Sequence, residues 1–209
     1  MHASIDFRLV LCLDALNMSF EMLDLTYSQI YSLCIQLKEK PELISSAFLQ
    51  CWTFIDVLHR VREVAQSIPG LSKKQQELRE FLLKTEEAEF CRHYIQHLRS
   101  ELSKIPHNKF PVWGSLAWLN PNDETEIYIA FAGVKIEGIE YAGLIYDTHE
   151  RRFLSKVALG IGEKSFNFDP IYQYIQEFRS FIVEWIQEKY TPGIQISKEL
   201  PIISIKINL

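Results

Sequence analysis

The chain has 209 residues, of which 47% are hydrophobic and 23% charged, with only 8 Gly and 8 Pro. This composition is that of an ordinary globular protein and excludes a disordered or fibrous chain. The formal net charge of -5 gives no overall attraction to phosphate backbones, so any contact with nucleic acid must come from a local basic patch.

The cysteines and the apolar segments indicate in which cellular compartment the protein is expected. Cys12, Cys34, Cys51 and Cys91 are far apart and lack the spacing of a zinc site or of a dense disulfide framework. We expect them to be small buried hydrophobic residues in a reducing compartment. No basic region precedes the first apolar stretch, and no run of about 18 apolar residues occurs, so neither a signal peptide nor a membrane partner is expected. The sequence therefore predicts a cytoplasmic protein.

Helical spacing dominates the first half of the chain. A period of two, with Ile5, Phe7, Leu9, Leu11 and Leu13 set against Asp6, Arg8 and Asp14, predicts a half-buried strand. From residue 19 to residue 105 apolar side chains recur at intervals of three and four. Pro41 and the Pro69-Gly70 pair divide this region into three predicted helices. The third is the most charged, and it is either one helix or two with a break near Thr85.

The second half changes to a period of two and then returns to helix. Residues 112–168 contain the runs VWGSLAWL, EIYIAFAGV, IEYAGLIYD and FLSKVALGI, which predict an antiparallel β meander. Residues 171–190 predict a fourth helix, and residues 194–209 a terminal strand that pairs with the first one or extends the meander. The predicted fold is α+β: a single domain over residues 1–209, in which a four-helix bundle carries an inserted meander and possible terminal strands.

The segment FCRHYIQHLRSEL in the third helical region carries the most suggestive side chains. Arg92, the polar residue His93, and His97 follow one another within six positions. A guanidinium group is always charged and binds phosphate oxygens bidentately. An imidazole takes or gives a proton near neutral pH. Together these residue types suit the binding or cleavage of a phosphodiester.

This arrangement resembles the motif of HEPN-domain proteins, helical bundles that carry an Arg, then usually a polar residue, then a His after four to six intervening residues. Arg92, His93 and His97 match the three positions in order. The resemblance covers about residues 20–105 and 171–190. It implies metal-independent RNA cleavage by the 2'-hydroxyl, with Arg92 on the phosphate, His97 transferring the proton and His93 orienting or assisting it. It also implies a homodimer that completes the site, and no cofactor.

Two other interpretations of this segment stay open. Arg92 and His97 could belong to a solvated face that pairs with neighbouring Glu and Gln side chains. The protein would then be a non-catalytic interaction or structural module. Alternatively, Glu89, His93, His97 and Glu101 stand at a spacing of four, which stacks them on one helix face and could ligate zinc.

Two further sets of residues could support a site. Asp56 with Arg60 and His59 with Glu63 are four positions apart in the second helix, a spacing typical of surface ion pairs. If that helix packs beside the third, the two acids could instead orient its histidines. Aromatic residues of the β region could stack on bases, although packing on a sheet is their usual role. These aromatic residues are Trp113, Trp118, Tyr128, Phe131, Tyr141 and Tyr146.

Overall fold

A computed structural model of the chain describes residues 6–103, 111–133 and 143–190. The helices in these ranges are α1 Phe7–Gln36, α2 Ile44–Ala65, α3 Gln76–Lys84, α4 Glu87–Gln96, α5 Leu98–Ser103 and α6 Phe168–Tyr190, with a 3₁₀ turn at Pro41–Leu43. The strands are β1 Ser115–Asn120, β2 Asp123–Phe131, β3 Tyr146–Asp147, β4 Arg152–Phe153, β5 Val157–Ile161 and β6 Lys164–Asn167. The α+β class is confirmed. A four-helix bundle is not, since the described residues form six α-helices, and the predicted strand at 194–209 lies outside these residues.

The predicted N-terminal strand is wrong, because α1 begins at Phe7. The side chain of Asp6 accepts a hydrogen bond from the backbone N–H of Arg8 at 2.9 Å and caps the helix. Leu9 and Leu13 are buried, whereas Phe7 and Leu11 are 73% and 52% exposed. Leu9 and Leu13 fit both a period of two and a helical spacing of four. Their burial follows the helical spacing, since Phe7 and Leu11 lie on the opposite face of α1.

One apolar core joins α1, α2 and α6 to the sheet. α1 and α2 pack along each other on either side of the 3₁₀ turn. The predicted last helix is confirmed as α6, whose Ile171, Ile175 and Phe178 are buried at intervals of three and four. The four cysteines are buried and unpaired, as predicted. Helices and sheet therefore exclude water from the same interior.

The third helical region is divided at two places. The expected break near Thr85 is confirmed, since α3 ends there and α4 begins at Glu87. The carbonyl oxygen of Leu82, freed at the helix end, accepts a hydrogen bond from Arg62 Nη1 at 2.6 Å. A second break falls at His97, which caps α4 and directly precedes α5.

The main sheet has the strand order β2-β1-β5-β6, with all neighbours antiparallel. A meander would pair each strand with the next, but β1 pairs with both β2 and β5, and β3 and β4 form a separate ribbon. The predicted order of pairing is therefore wrong, although both hairpins of the sheet are local. β1 and β5 are almost wholly buried, because they lie at the centre and β2 lies at an edge. Sequence alternation identifies strands but not their neighbours.

A candidate site in the groove between α2 and α4

Arg92 extends from α4 towards α2. Its Nε lies 3.5 Å from Asp56 Oδ1, and Asp56 Oδ2 accepts a hydrogen bond from Arg60 Nη2 at 2.8 Å. The predicted pair of Asp56 with Arg60 is thus confirmed, and α2 does face α4. Asp56, however, contacts Arg92 and neither histidine.

The guanidinium group of Arg92 is incompletely satisfied. Nε is buried and makes no hydrogen bond with any described residue, and the terminal nitrogens have no hydrogen-bond partner there either. The side chain is 27% exposed. Unpaired donors of this kind are unusual in folded proteins and need a partner from water or a ligand. Arg92 is therefore able to bind an oxyanion.

His93 and His97 lie together at the end of α4. Their ring centroids are 4.4 Å apart, and both residues are exposed. His97 is the C-terminal cap of the helix, a position that favours a cationic side chain. The structure brings these two imidazoles together but does not bring either into contact with Arg92. The three predicted residues thus lie on adjacent faces of one short helix.

Arg92 lines a groove with a volume of about 610 Å³. Met22 contributes from α1, Trp52, Asp56 and Arg60 from α2, Gln96 from α4, and Trp113 from the segment before β1. Two guanidinium groups face one carboxylate here, so the lining is locally positive in a chain whose net charge is -5.

Trp113 separates this groove from a second, apolar one. The apolar groove has a volume of about 560 Å³ and includes Phe48, Leu49 and Phe131 together with Trp52 and Trp113. Of the aromatic residues considered for base stacking, Trp118 is buried in the sheet, whereas Trp113 is 48% exposed. Tyr141 lies outside the described residues.

The backbone around Trp113 is held in place from two sides. Trp52 Nε1 donates a hydrogen bond to the carbonyl oxygen of Trp113 at 3.3 Å. Gly114 has a φ of +95°, and a Cβ there would lie 2.6 Å from the carbonyl oxygen of Gly160. Only glycine tolerates this conformation and this approach to β5. The indole is therefore exposed on a well-fixed backbone.

A polar network that the sequence did not reveal joins α2 to α4 beside the groove. Glu89 Oε1 accepts hydrogen bonds from Arg62 Nε at 2.9 Å and from His59 Nδ1 at 2.7 Å. Arg62 also donates to the hydroxyl of Thr85 at 2.5 Å. The predicted pair of His59 with Glu63 is present at 3.2 Å. Arg62 and Glu89 are 27 residues apart, and no local spacing signals such a pair.

The pKa values of groups near Arg92 follow from this packing. Burial raises the pKa of Glu89, but hydrogen bonds and charges from Arg62 and His59 outweigh burial and bring it below its usual value. Burial raises the pKa of the Cys91 thiol to about 12, so that neighbour of Arg92 is not a nucleophile at neutral pH.

The zinc interpretation is wrong for the described part of the chain. No three His, Cys, Asp or Glu side chains there are close enough together to hold a metal ion. Glu89 is turned towards His59 and Arg62, and Glu101 is buried. Glu101 lies beyond the break at His97, and the carboxylate of Glu89 binds His59 and Arg62, so neither acid joins the two histidines.

Comparisons with protein-family models, with curated proteins and with solved structures gave no match. Within the described ranges, none of the helices is apolar over a length that would cross a membrane.

Proposed function

We propose that the protein binds RNA in the groove between α2 and α4 and cleaves it without a metal ion. Arg92 holds the phosphate, and His97 and His93 transfer protons. The observation that carries this proposal is the guanidinium of Arg92, which lines a locally positive groove and whose Nε makes no hydrogen bond with any described residue. The resemblance to the HEPN motif supports the roles of Arg92 and His97 and gives His93 an orienting or assisting role. Proton transfer by His93 is proposed because its ring centroid lies 4.4 Å from that of His97.

The proposed reaction uses the 2'-hydroxyl of the substrate as the nucleophile. Its oxygen attacks the adjacent phosphorus while His97 accepts its proton. The bond from phosphorus to the 5'-oxygen breaks, and the leaving oxygen keeps the electron pair and receives a proton from His93. The products are a 2',3'-cyclic phosphate and a 5'-hydroxyl. Arg92 stabilises the charge that develops on the phosphoryl oxygens.

Positions along α4 support a path from the groove to the imidazoles. Gln96 lines the groove, and His97 is the next residue. Arg92 and His97 are five positions apart, which is a rise of about 7.5 Å along the helix axis. A phosphate at the end of the long Arg92 side chain, on the side towards Gln96, would therefore lie between the guanidinium and the imidazoles.

Cleavage of mixed RNA in EDTA tests this proposal. Wild type should cleave, and Arg92→Ala and His97→Ala should each lose about 100-fold or more in rate, the usual contribution of such groups. Arg179→Ala is the matched control, because Arg179 also pairs with an aspartate, at 2.8 Å from Asp24, and is similarly exposed at 33%. Its rate should stay within about twofold of wild type.

Three outcomes of that assay are informative. Activity lost in EDTA contradicts a metal-independent reaction. Activity that survives in both variants, with circular dichroism showing that they are folded, contradicts the assigned residues. RNA binding that depends on Arg92, without cleavage in any sample, reduces the proposal to an RNA-binding protein.

A non-catalytic protein-interaction module is the second candidate, and an exposed apolar stripe on α1 favours it. The stripe lies on the face opposite the buried one and consists of Phe7, Leu11, Met18, Met22 and Leu25. Exposed apolar side chains along one helix face favour an interaction site, although the exposed Asp14 interrupts them between Leu11 and Met18. We propose a second copy of the chain as the partner, because the resemblance to the HEPN motif implies a homodimer.

The homodimer is compatible with the proposed RNA site. Met22 belongs both to the stripe and to the groove that contains Arg92. A second copy on α1 would therefore lie at the mouth of the groove, as a composite site requires. We also propose a cytoplasmic location, since four buried, unpaired cysteines are typical of a reducing compartment.

A further inference from the structure

We infer that the groove selects single-stranded RNA by stacking one unpaired base on the indole of Trp113, with the adjoining phosphate on Arg60 and Arg92. This inference rests on the proposed function, because it names the substrate class of the same groove. It goes beyond the catalytic residues, since Trp113 lies on a different element from all three of them.

The surroundings of Trp113 suit a planar apolar ligand. The indole is 48% exposed, although its backbone is held by Trp52 and by the required glycine at position 114. A rigid, exposed aromatic ring loses little conformational entropy when a base stacks on it. Aromatic side chains of this kind are the usual platforms for unpaired bases.

The two grooves that meet at Trp113 suit the two parts of a nucleotide, its apolar base and its charged phosphate. On one side lie Phe48, Leu49 and Phe131, which offer apolar contacts to a base. On the other lie Arg60 and Arg92, which offer charge to a phosphate. Arg60 uses Nε and Nη2 on Asp56, whereas the terminal nitrogens of Arg92 have no described partner. Arg92 is therefore the stronger of the two phosphate contacts.

An unpaired base is required, because the bases of a duplex are stacked on one another and cannot lie on Trp113. Overall charge adds little attraction, since the chain carries -5. With two arginines as phosphate contacts, the logarithm of the binding constant should fall with the logarithm of salt concentration with a slope of only about -1.4. Stacking, and not charge, then decides which strands bind.

Fluorescence anisotropy with a labelled ten-nucleotide 2'-O-methyl RNA tests the inference, because this probe lacks the nucleophile and cannot be cleaved. Trp113→Leu should weaken binding about 10-fold or more, and Trp113→Phe should weaken it less, because a smaller ring still stacks. Trp185→Leu, a change on the distant α6, should bind as wild type does. The same oligonucleotide in a perfect duplex should bind at least about 10-fold more weakly than the single strand.

The outcomes separate this inference from the proposed function. If Arg92→Ala loses binding but Trp113→Leu does not, or if the duplex binds as well as the single strand, the stacking role is wrong and the groove still binds RNA. If wild type does not bind the single strand, the proposed function itself fails, and the stacking role with it. Circular dichroism on each variant separates a lost contact from a lost fold.

Discussion

Arg62 and Arg92 extend from helices that face each other, yet their surroundings differ. Arg62 is buried, and its donors reach Glu89, Thr85 and the carbonyl oxygen of Leu82. Arg92 forms an ion pair with Asp56, and its Nε makes no hydrogen bond with any described residue. The three hydrogen bonds of Arg62 hold the ends of helices together, whereas a guanidinium without such bonds is available for a ligand. This contrast is why the proposal assigns phosphate binding to Arg92.

Glu89→Gln should make stability less dependent on pH in the acid range. The pKa of Glu89 is lower in the folded protein than in the unfolded chain, so the folded state binds fewer protons there. The stabilisation is complete above about pH 4.3, the value of a free glutamate, and is lost as pH falls through the folded pKa. Urea midpoints from pH 7 to pH 3 should therefore fall more steeply for wild type than for Glu89→Gln.

Glu86→Gln is the control for that series, because Glu86 is exposed and has no described side-chain hydrogen bond. It should follow the wild-type curve. A constant difference between wild type and Glu89→Gln over the whole pH range would show that the carboxylate charge does not contribute to stability.

At the residue scale the sequence predicts local pairs and misses distant ones. The contacts of Asp56 with Arg60 and of His59 with Glu63 follow from a spacing of four, and both are present. The pairing of Glu89 with Arg62 depends on how α2 packs against α4, which no spacing encodes. The assignment of Arg92, His93 and His97 as a site remains a prediction.

Among the secondary-structure elements, α1 has the most unusual surface, because it is apolar on two opposite faces. Its inner face is buried in the core, and its outer face exposes the apolar stripe that contains Leu11 and Met18. A helix that is apolar on opposite faces usually contacts something on both. The stripe spans 19 residues from Phe7 to Leu25, which is about 27 Å along the helix.

Leu11→Asp should therefore dissociate the proposed homodimer. A buried, unpaired carboxylate on each copy opposes association strongly, so the sedimenting mass should fall from twice 24.5 kDa to 24.5 kDa. Leu83→Asp is the matched control, since Leu83 is 63% exposed on α3, outside the stripe. Wild type that sediments as a monomer at every concentration, or Leu11→Asp that stays dimeric, would contradict the assignment.

One helix boundary follows from the sequence pattern, and another does not. The break at Thr85 was expected, and Arg62 stabilises it by binding the carbonyl oxygen of Leu82. The sequence predicts that the first helix starts at residue 19 instead of Phe7, because apolar residues within 5–13 recur at a period of two as well as at helical spacing. Burial of Leu9 and Leu13 against the rest of the core decides between them.

At the scale of the whole molecule, the sheet and the helices together create the groove. Trp113 comes from the segment before β1, and Arg92 comes from α4, so their proximity depends on tertiary packing. The meander prediction missed this packing because β1 pairs with the distant β5. The α+β class could be predicted from periodicity, whereas strand order and the position of the groove depend on long-range contacts.

The overall charge of -5 restricts where RNA can bind. The lining of the groove is locally positive. Arg151 and Arg152 lie at an exposed turn, but Asp147 and Glu150 lie there too and offset their charge. Tyr146 beside this turn is 49% exposed, and its ring packs edge-to-face on Phe153 with 5.0 Å between the ring centroids. We therefore expect RNA to lie in the groove and not on the turn.

Photo-crosslinking of a single-stranded RNA that contains 4-thiouridine, followed by mass spectrometry of the peptides, tests that requirement most directly. We expect crosslinks on the peptides that contain Trp113 and Arg92, with a yield that falls about 10-fold in Arg92→Ala and stays unchanged in Arg179→Ala. Crosslinks confined to Arg151 and Arg152, or spread evenly over the surface, would contradict it.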